Sequence, residues 1–296
     1  MSQPRLFCFG LGYSAEVLAR RRLAEGWRVA GTCRTAARQS ELAALGIEGW
    51  LFDREQPLAH GALEAALEGA THLLSSVPPD DAGDPVLDLC AAAIARLLPQ
   101  PAWLGYLSTT SVYGDRGGGW VDETSELRPA GERGRRRVAA EAGWLALGRR
   151  HDLPVHVFRL AGIYGPGRSP FDKLRAGRAQ RIAKPGQVFG RIHVEDIAAA
   201  LIASMARPNP GAVYNVCDDE PAAPEAVLAY AAGLLGCDPP PLVPLAKADL
   251  NPMAHSFYAE NKRVSNERVK RELGVALAYP DYRRGLKAVL AAESGR

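Results

Sequence analysis

Near its N-terminus the chain reads Arg5-Leu6-Phe7-Cys8-Phe9-Gly10-Leu11-Gly12-Tyr13-Ser14-Ala15. The apolar run before the first glycine is typical of a buried strand, and a helical pattern begins after the second glycine. The spacing matches G-x-G-x-x-G/A, in which Gly10 permits a tight turn, Gly12 lets the backbone approach a diphosphate and Ala15 keeps the helix close to the sheet. The helix start, from Tyr13 and Ser14 onward, offers N–H dipoles to the phosphates. An ordinary glycine-rich turn is the alternative, but the position of the motif at the first strand favours a dinucleotide.

Outward from this turn, short apolar strands alternate with helical patterns. The predicted strands are 5–9, 27–33, 47–52, 71–75, 102–108 and 155–160. The predicted helices between them are 15–25, 35–45, 58–67, 85–98 and 132–151. This alternation implies right-handed crossovers and a parallel sheet with helices on both faces, so we expect an α/β fold of the doubly wound Rossmann type.

After residue 163 the alternation is lost in a segment rich in Gly and Pro. A helix at 194–205 and a strand at 213–216 are expected to return to the sheet. The sequence therefore predicts a Rossmann nucleotide-binding domain over 1–165, with 191–216 returning to it. Residues 166–190 and 217–296 are predicted to form a smaller C-terminal substrate lobe.

Composition narrows the class of partner. The chain has 296 residues and a net charge of only +3, which gives no case for a nucleic-acid or membrane partner and leaves a small-molecule substrate. Five scattered cysteines without a C-x-x-C predict reduced, mostly buried thiols and no metal site. No leader and no run of roughly 18 apolar residues is present, so the cytoplasm is the expected compartment. The sequence does not decide between a monomer and a homodimer.

The second strand indicates which nicotinamide coenzyme is bound. It ends Gly31-Thr32-Cys33-Arg34-Thr35. NAD-binding folds place an acid here to hold the ribose 2′-hydroxyl, but no acid occurs between Trp27 and Ser40. Arg34 stands where it can pair with a 2′-phosphate, and Arg38 lies one helical turn further on. NADP is therefore favoured over NAD, the alternative being two solvated arginines in an Arg-rich chain.

Residues after strands three and four complete the predicted cofactor site. Asp53, followed by Arg54, can accept a hydrogen bond from an adenine amino group, although a plain turn residue is an equal alternative. The residues after strand four are Ser75, Ser76, Val77 and Pro78. Small side chains there let the backbone pass along the cofactor, and proline stiffens the loop.

Several further motifs follow in a set order. They are Leu107-Ser108-Thr109-Thr110-Ser111-Val112-Tyr113-Gly114, Arg159-Leu160-Ala161-Gly162-Ile163-Tyr164-Gly165-Pro166-Gly167, Arg191-Ile192-His193-Val194-Glu195-Asp196 and Val213-Tyr214-Asn215-Val216. With the glycine turn and Asp53 they resemble the NAD-dependent epimerase/dehydratase family, the extended short-chain dehydrogenase/reductases. The resemblance covers about residues 5–220. It implies a Rossmann domain, a substrate lobe and, in many members, sugar-nucleotide substrates.

The chain departs from this family at its catalytic residues. Family enzymes use a Ser or Thr after strand five, with a Tyr and a Lys four residues apart on the next helix. Thr109 matches the Ser/Thr position, whereas Arg133 aligns with the Tyr and Arg137 with the Lys. Neither Tyr nor Lys occurs between Gly114 and Ile163. Because arginine stays protonated below about pH 12, Arg133 is a poor proton donor, while Arg137 can still hold ribose hydroxyls.

Three hypotheses follow from this departure. In the first, an oxidoreductase or epimerase exchanges hydride at a carbonyl or carbinol carbon with substitute acid/base groups. The candidates at the strand ends are Thr109, Ser108, Tyr113 and Tyr164. For the two tyrosines, packing beside glycine turns is the alternative. In the second hypothesis the protein binds NADP(H) without turnover, as a redox-sensing or regulatory protein.

The third hypothesis is an enzyme for an anionic substrate. Four arginines crowd the start of the long helix, namely Arg133, Arg135, Arg136 and Arg137. Positive charge at a helix N-terminus opposes the helix dipole, and a bound phosphate or carboxylate would relieve that repulsion. The alternative is a solvated helix face.

Overall fold

A computed structural model describes residues 3–98, 101–250, 255 and 257–294, the side chain of His60 excepted. The chain divides into two compact units. The first unit comprises Met1–Thr109, Arg135–Arg159 and Ala198–Tyr214. The second comprises Thr110–Gly134, Leu160–Ile197 and Asn215–Arg296.

Thirteen strands and ten α-helices are described in these ranges. The strands are β1 (Arg5–Phe9), β2 (Arg28–Cys33), β3 (Glu48–Leu51), β4 (His72–Ser75), β5 (Trp103–Thr109), β6 (Trp120–Val121), β7 (Val155–Leu160), β8 (Gly162–Tyr164), β9 (Arg181–Ala183), β10 (Arg191–His193), β11 (Val213–Val216), β12 (Leu242–Pro244) and β13 (Arg263–Val264). The helices are α1 (Tyr13–Ala24), α2 (Ala36–Ala44), α3 (His60–Leu67), α4 (Pro85–Leu97), α5 (Glu132–His151), α6 (Pro170–Arg175), α7 (Val194–Ala206), α8 (Pro224–Leu234), α9 (Glu267–Leu273) and α10 (Tyr282–Ser294).

The first unit is organised around a seven-stranded sheet with the strand order β11-β7-β5-β4-β1-β2-β3. The pairs β1–β2, β2–β3, β1–β4 and β4–β5 are parallel. The order reverses at β1, which is the switch point where a doubly wound sheet opens its ligand crevice at the carboxyl ends of the strands. The predicted α/β fold is confirmed.

The core explains why β1 lies at the centre. All five of its residues are buried, as expected for a strand covered on both faces. Phe7 and Phe9 meet edge to face with centroids 5.0 Å apart, and Phe9 meets Phe52 in the same way at 5.8 Å. Each such buried side chain contributes about 1.5–3 kcal/mol of transfer free energy. The apolar run that predicted the strand also fixes its place in the sheet.

The element boundaries follow the sequence closely. The strands β1, β7 and β11 and the helix α5 have the predicted bounds. One informative difference is α1, which begins at Tyr13 rather than Ala15, because Gly12 is its N-cap. The turn is therefore tighter than predicted.

The second unit includes segments that the predicted boundary at residue 165 assigned to the nucleotide domain. Residues 110–134 belong to it because β6 pairs with β13, so that Trp120 lies opposite Arg263. Residues 160–165 also belong to it, together with 191–197 of the segment that was expected to return to the nucleotide domain, and β8 pairs with β10 there. The second unit has an apolar core of its own, formed by Tyr164, Phe171, Ala222, Val227, Ala231, Tyr282, Leu286 and Val289.

Four of the five cysteines are buried and all five are free thiols, so the prediction of mostly buried thiols is confirmed. Across the described ranges, no helix combines the length and the apolarity that crossing a membrane requires.

Candidate functional site

The glycine turn is held by two hydrogen bonds from different elements. The Gly10 amide donates to Thr32 Oγ1 at 2.7 Å, and the Gly10 carbonyl accepts from Ser76 Oγ at 2.5 Å. Gly10 has a φ of +83°, and a Cβ there would lie 2.9 Å from Ser76 Oγ and 3.1 Å from Val77 Cγ2. Only glycine suits both the dihedral angle and the space. The turn is thus fixed against β2 and the loop after β4.

Gly12 has the opposite surroundings. It is exposed, it caps α1 without a side-chain hydrogen bond, and a Cβ there would meet no atom within 4 Å. Behind it Ser14 and Ala15 are buried against the fold. The first turn of α1, beginning at Tyr13, therefore directs its N–H dipoles into open space. A dinucleotide diphosphate fits this arrangement.

The loop after β4 supplies one wall of the turn. Ser76 donates its amide to Phe9 O at 2.9 Å in addition to bracing Gly10. Val77 is half-buried, and Pro78 is exposed. Ser75 is fully buried, and its hydroxyl has no hydrogen-bond partner in the described part of the chain. The structure thus brings Ser76 and Val77 to the glycine turn and places Ser75 in the core.

The two arginines after β2 have different surroundings. Arg34 is exposed and forms no ion pair or side-chain hydrogen bond with any described residue. Arg38 is engaged by Glu16, by Glu41 at 2.7 Å and by the Leu11 carbonyl at 3.4 Å. Arg34 is therefore the arginine of the two whose guanidinium is available to an incoming phosphate.

Beyond β3, both predicted residues have structural roles. Asp53 Oδ1 accepts from the amides of Glu55 at 2.9 Å and Gln56 at 2.8 Å, as in an Asx turn. Arg54 donates to Asp80 and Asp88, each at 2.7 Å, and these carboxylates raise the pKa of Arg54. The turn alternative for Asp53 is thus realised at Oδ1. Arg54 ties the end of β3 to α4 and to the loop before it, which argues against its predicted contact with the cofactor.

At the end of β5, Ser108 is committed to a buried network. Its hydroxyl donates to Glu141 Oε1 at 2.5 Å, and Arg159 donates to Glu141 Oε2 at 2.8 Å. The exposed fractions of Ser108, Glu141 and Arg159 are 5%, 2% and 5%. A serine whose proton is held by a buried carboxylate has no proton to exchange with a substrate, which argues against the predicted catalytic role of Ser108.

Arg137 lies at the same end of β5. Its Nη1 donates to the Leu107 carbonyl at 2.5 Å and to the Tyr106 hydroxyl at 3.2 Å. Its guanidinium also lies 5.7 Å from the centre of the Tyr106 ring. Thr109, at the last position of the strand, is half-buried. The structure therefore brings Thr109 and Arg137 to the strand end where the resemblance expects catalytic groups.

The other arginines of the run have separate contacts. Arg136 pairs with Asp81 in the first unit. In the second unit, the Arg133 guanidinium lies 5.7 Å from the ring centre of Phe257. Arg135 is exposed. These different surroundings give little support to a single four-arginine clamp.

Both candidate tyrosines belong to the interior of the second unit. Tyr113 is fully buried, and its hydroxyl donates to Asn215 Oδ1 at 2.7 Å. Tyr164 packs so closely on Gly285 that a Cβ there would lie 1.9 Å from the Tyr164 hydroxyl. Burial raises the pKa of the Tyr164 phenol further above its usual value. The packing alternative is realised for both, which argues against proton transfer by either.

Two buried carboxylates, Glu141 and Asp218, were not predicted from the sequence. The ion-pair partner of Glu141 is Arg159 on β7, 18 residues further along the chain, so no helical spacing on α5 indicates it. Asp218 is buried in the second unit, and burial raises its pKa to about 8 even though the nearby Arg191 lowers it. No sequence signal distinguishes Asp218 from its exposed neighbour Asp219.

Comparison with known proteins decides the family. A model described as the NAD dependent epimerase/dehydratase family matches residues 84–217. The chain is 30% identical to Protein YeeZ of Escherichia coli (strain K12) over 283 residues, which cover 92% of this chain and 95% of that protein. The chain belongs to the NAD-dependent epimerase/dehydratase family.

Solved structures agree with this family membership. A functionally unknown conserved protein from Silicibacter pomeroyi DSS is 56% identical, with a TM-score of 0.90 over 98% of this chain and 99% of that chain. The dTDP-glucose 4,6-dehydratase from Bacillus anthracis str. Ames, solved in complex with NAD, has a TM-score of 0.78 at 17% identity and covers 100% of this chain and 97% of that one. The second likeness establishes the fold of this epimerase/dehydratase family member.

Proposed function

We propose that this family member binds NADP(H) and exchanges hydride with a small carbonyl, carbinol or sugar-type substrate, a class that includes anionic compounds. The observation that carries the proposal is the open space in front of Gly12, at the N-terminus of α1. A diphosphate there meets backbone N–H groups and the positive end of the helix dipole. The bound coenzyme would supply or accept the hydride.

The preference for NADP over NAD rests on Arg34. Its guanidinium is exposed and unpaired among the described residues, and no acid lies between Trp27 and Ser40 to hold a ribose 2′-hydroxyl. A guanidinium fork and a phosphate make strong charge-assisted hydrogen bonds. The dehydratase from Bacillus anthracis was solved with NAD. At 17% identity its coenzyme does not indicate which coenzyme this chain binds, so the proposal rests on the residues after β2.

At the reacting end we assign Thr109 to the substrate oxygen. Thr109 ends β5 and is half-buried, so its side chain lies at the carboxyl edge of the sheet. Its hydroxyl can orient a substrate oxygen, although a threonine does not titrate in the physiological range. Arg137 would hold ribose hydroxyls with guanidinium N–H groups other than those on Leu107 O and Tyr106.

A second candidate function is binding of NADP(H) without turnover, in a redox-sensing or regulatory protein. Three of the four candidate hydroxyls favour it. Ser108 donates to Glu141, Tyr113 donates to Asn215, and Tyr164 lies in the core of the second unit. Both functions require the same coenzyme site, and a small molecule is the proposed partner in each.

Titration with NADPH and NADH, followed by the fluorescence of the five tryptophans, tests the coenzyme proposal. We expect Arg34→Ala to lower the NADPH affinity about tenfold, since about 1.4 kcal/mol is a modest value for one guanidinium–phosphate contact, and to leave NADH unchanged. Arg28→Ala removes an exposed arginine from the opposite end of β2 and serves as the matched control. Equal affinity of the parent protein for both coenzymes would refute the NADP preference.

Turnover separates the two candidate functions. NADPH oxidation is followed with a panel of carbonyl and sugar-nucleotide substrates, and any active pair is repeated with Thr109→Ala. Activity that is lost in the variant supports the enzyme with Thr109 at the substrate oxygen. Activity that survives removes Thr109 from the proposal, and tight coenzyme binding without turnover on any substrate favours the second candidate.

A further inference from the structure

At the end of the proposed cofactor site that faces β2, two carboxylates already hold Arg38. Glu16, in the first turn of α1, accepts from Nη2. Glu41, three residues along α2, accepts from Nη1 at 2.7 Å. Each terminal nitrogen of the Arg38 guanidinium thus donates to one carboxylate.

The backbone contacts of Arg38 fix its place next to the glycine turn. Its amide donates to Thr35 Oγ1, the N-cap of α2, at 3.2 Å. Its Nη2 also donates to the Leu11 carbonyl at 3.4 Å. Arg38 therefore lies between the glycine turn and the end of β2, where this fold receives the adenosine ribose. Arg34 immediately precedes the cap and comes from the same strand end.

The two acids on Arg38 differ in how firmly they are held. The Glu16 side chain is 21% exposed and also pairs with Arg20 at 2.7 Å. The Glu41 side chain is 62% exposed, and Arg38 is its one ion-pair partner among the described residues. An exposed pair of this spacing on a helix is weak, whereas a phosphate binds a guanidinium through two strong hydrogen bonds. Of the two acids, Glu41 is therefore the one that a phosphate displaces more readily.

We propose that the coenzyme 2′-phosphate displaces the Glu41 carboxylate from Arg38 Nη1, while Glu16 keeps its hydrogen bond to Nη2 and holds the arginine in place. This inference rests on the proposed binding of NADP(H) and names a second specificity-determining arginine for it. Arg34 meets the 2′-phosphate directly. Arg38 joins it by exchanging Glu41 for the phosphate while Nη2 stays on Glu16.

The test compares NADPH and NADH affinities in three variants at low ionic strength, where exposed charges are screened least. Arg38→Ala is expected to weaken NADPH binding about tenfold, as expected for one guanidinium–phosphate contact, and to leave NADH unchanged. Glu41→Gln removes the competing carboxylate and is expected to tighten NADPH binding about twofold. In the double variant Glu41→Gln, Arg38→Ala, the gain from Glu41→Gln is expected to disappear.

The control for the charge change is Glu68→Gln. Glu68 is exposed and caps α3, and its carbonyl accepts from Arg5 at the opposite end of β1 from the glycine turn. We expect it to bind both coenzymes as the parent protein does. Thermal melting of each variant verifies that the fold is intact.

The outcomes separate this inference from the proposal beneath it. If Arg34→Ala loses NADPH selectively while Arg38→Ala and Glu41→Gln leave the NADPH-to-NADH ratio unchanged, the role of Glu41 and Arg38 is overturned and the NADP(H) proposal stands. If Arg34→Ala also leaves that ratio unchanged, or if neither coenzyme binds, both are overturned. Selective effects in all three variants, in the expected directions, support the exchange.

Discussion

The buried network of Ser108, Glu141 and Arg159 provides the sharpest test of the fold. Replacing Glu141 by Ala leaves the Arg159 guanidinium, which is 5% exposed, without its carboxylate. Removing one partner of a buried ion pair costs about 3–5 kcal/mol, and the Ser108 hydroxyl, which loses its acceptor, adds about 1–3 kcal/mol. We therefore expect Glu141→Ala to lower the free energy of unfolding by about 3–5 kcal/mol at least, measured by urea denaturation.

The double variant Glu141→Met, Arg159→Met distinguishes a buried charge from a simple cavity. Removing both charges and keeping volume is often close to neutral, so the double variant is expected to recover most of the loss. Arg96→Met, which removes an exposed arginine of an ion pair with Glu64, is the control and should change stability by less than about 1 kcal/mol. A Glu141→Ala loss below about 1 kcal/mol, or a double variant as unstable as Glu141→Ala, would refute the reasoning.

Three further predictions follow. Gly12→Val places a side chain in the open space before α1, so NADPH binding should fall at least about a hundredfold in fluorescence titration. Because Gly12 is also the N-cap of α1, the free energy of unfolding should fall by no more than about 1 kcal/mol, and a larger loss would instead indicate a structural role. Asp218→Asn tests a pH dependence of stability. Burial raises the pKa of Asp218 to about 8, so the folded chain keeps a proton that the unfolded chain releases above about pH 4. The free energy of unfolding should therefore fall by about 1.4 kcal/mol per pH unit between these two pH values. The variant should lose this slope in urea midpoints taken from pH 5 to 8, and an unchanged slope would contradict the assignment. Gly285→Ala brings a Cβ to 1.9 Å from the Tyr164 hydroxyl and should cost about 1–3 kcal/mol, whereas Gly233→Ala, with nothing within 4 Å on the exposed part of α8, should cost nothing; equal stability of the two variants would exclude the close packing.

The distribution of hydroxyls bears directly on the choice between an enzyme and a silent binder. Ser108 and Tyr113 each donate to a buried acceptor, and Tyr164 packs in an apolar core. A catalytic proton donor needs access to the substrate as well as a suitable pKa. Turnover by this chain would therefore depend on Thr109 for orientation and on a proton source other than the three hydroxyls predicted from the sequence.

The strands and helices of the first unit, the fold class and the glycine turn were predictable from the sequence alone, whereas the short strands of the second unit were not. Each of these depends on local sequence. The apolar run of β1, the helical period of α5 and the spacing of Gly10 and Gly12 are each set by residues that are close together in the chain. Arg34 was predictable for the same reason, because the end of β2 is indicated by local sequence and does not depend on what packs against the strand. Even the two-residue difference at the start of α1 concerns a cap, which local sequence specifies least well.

Tertiary structure alone decided what each polar side chain is used for. Ser108 meets Glu141 at a separation of 33 residues, and Tyr113 meets Asn215 at a separation of 102. Arg54 pairs with Asp80, in the loop after β4, and with Asp88, in α4. Burial and pairing depend on surfaces that folding brings together. A motif therefore predicts which side chain lies at a strand end, but not which distant residue forms a hydrogen bond or an ion pair with it.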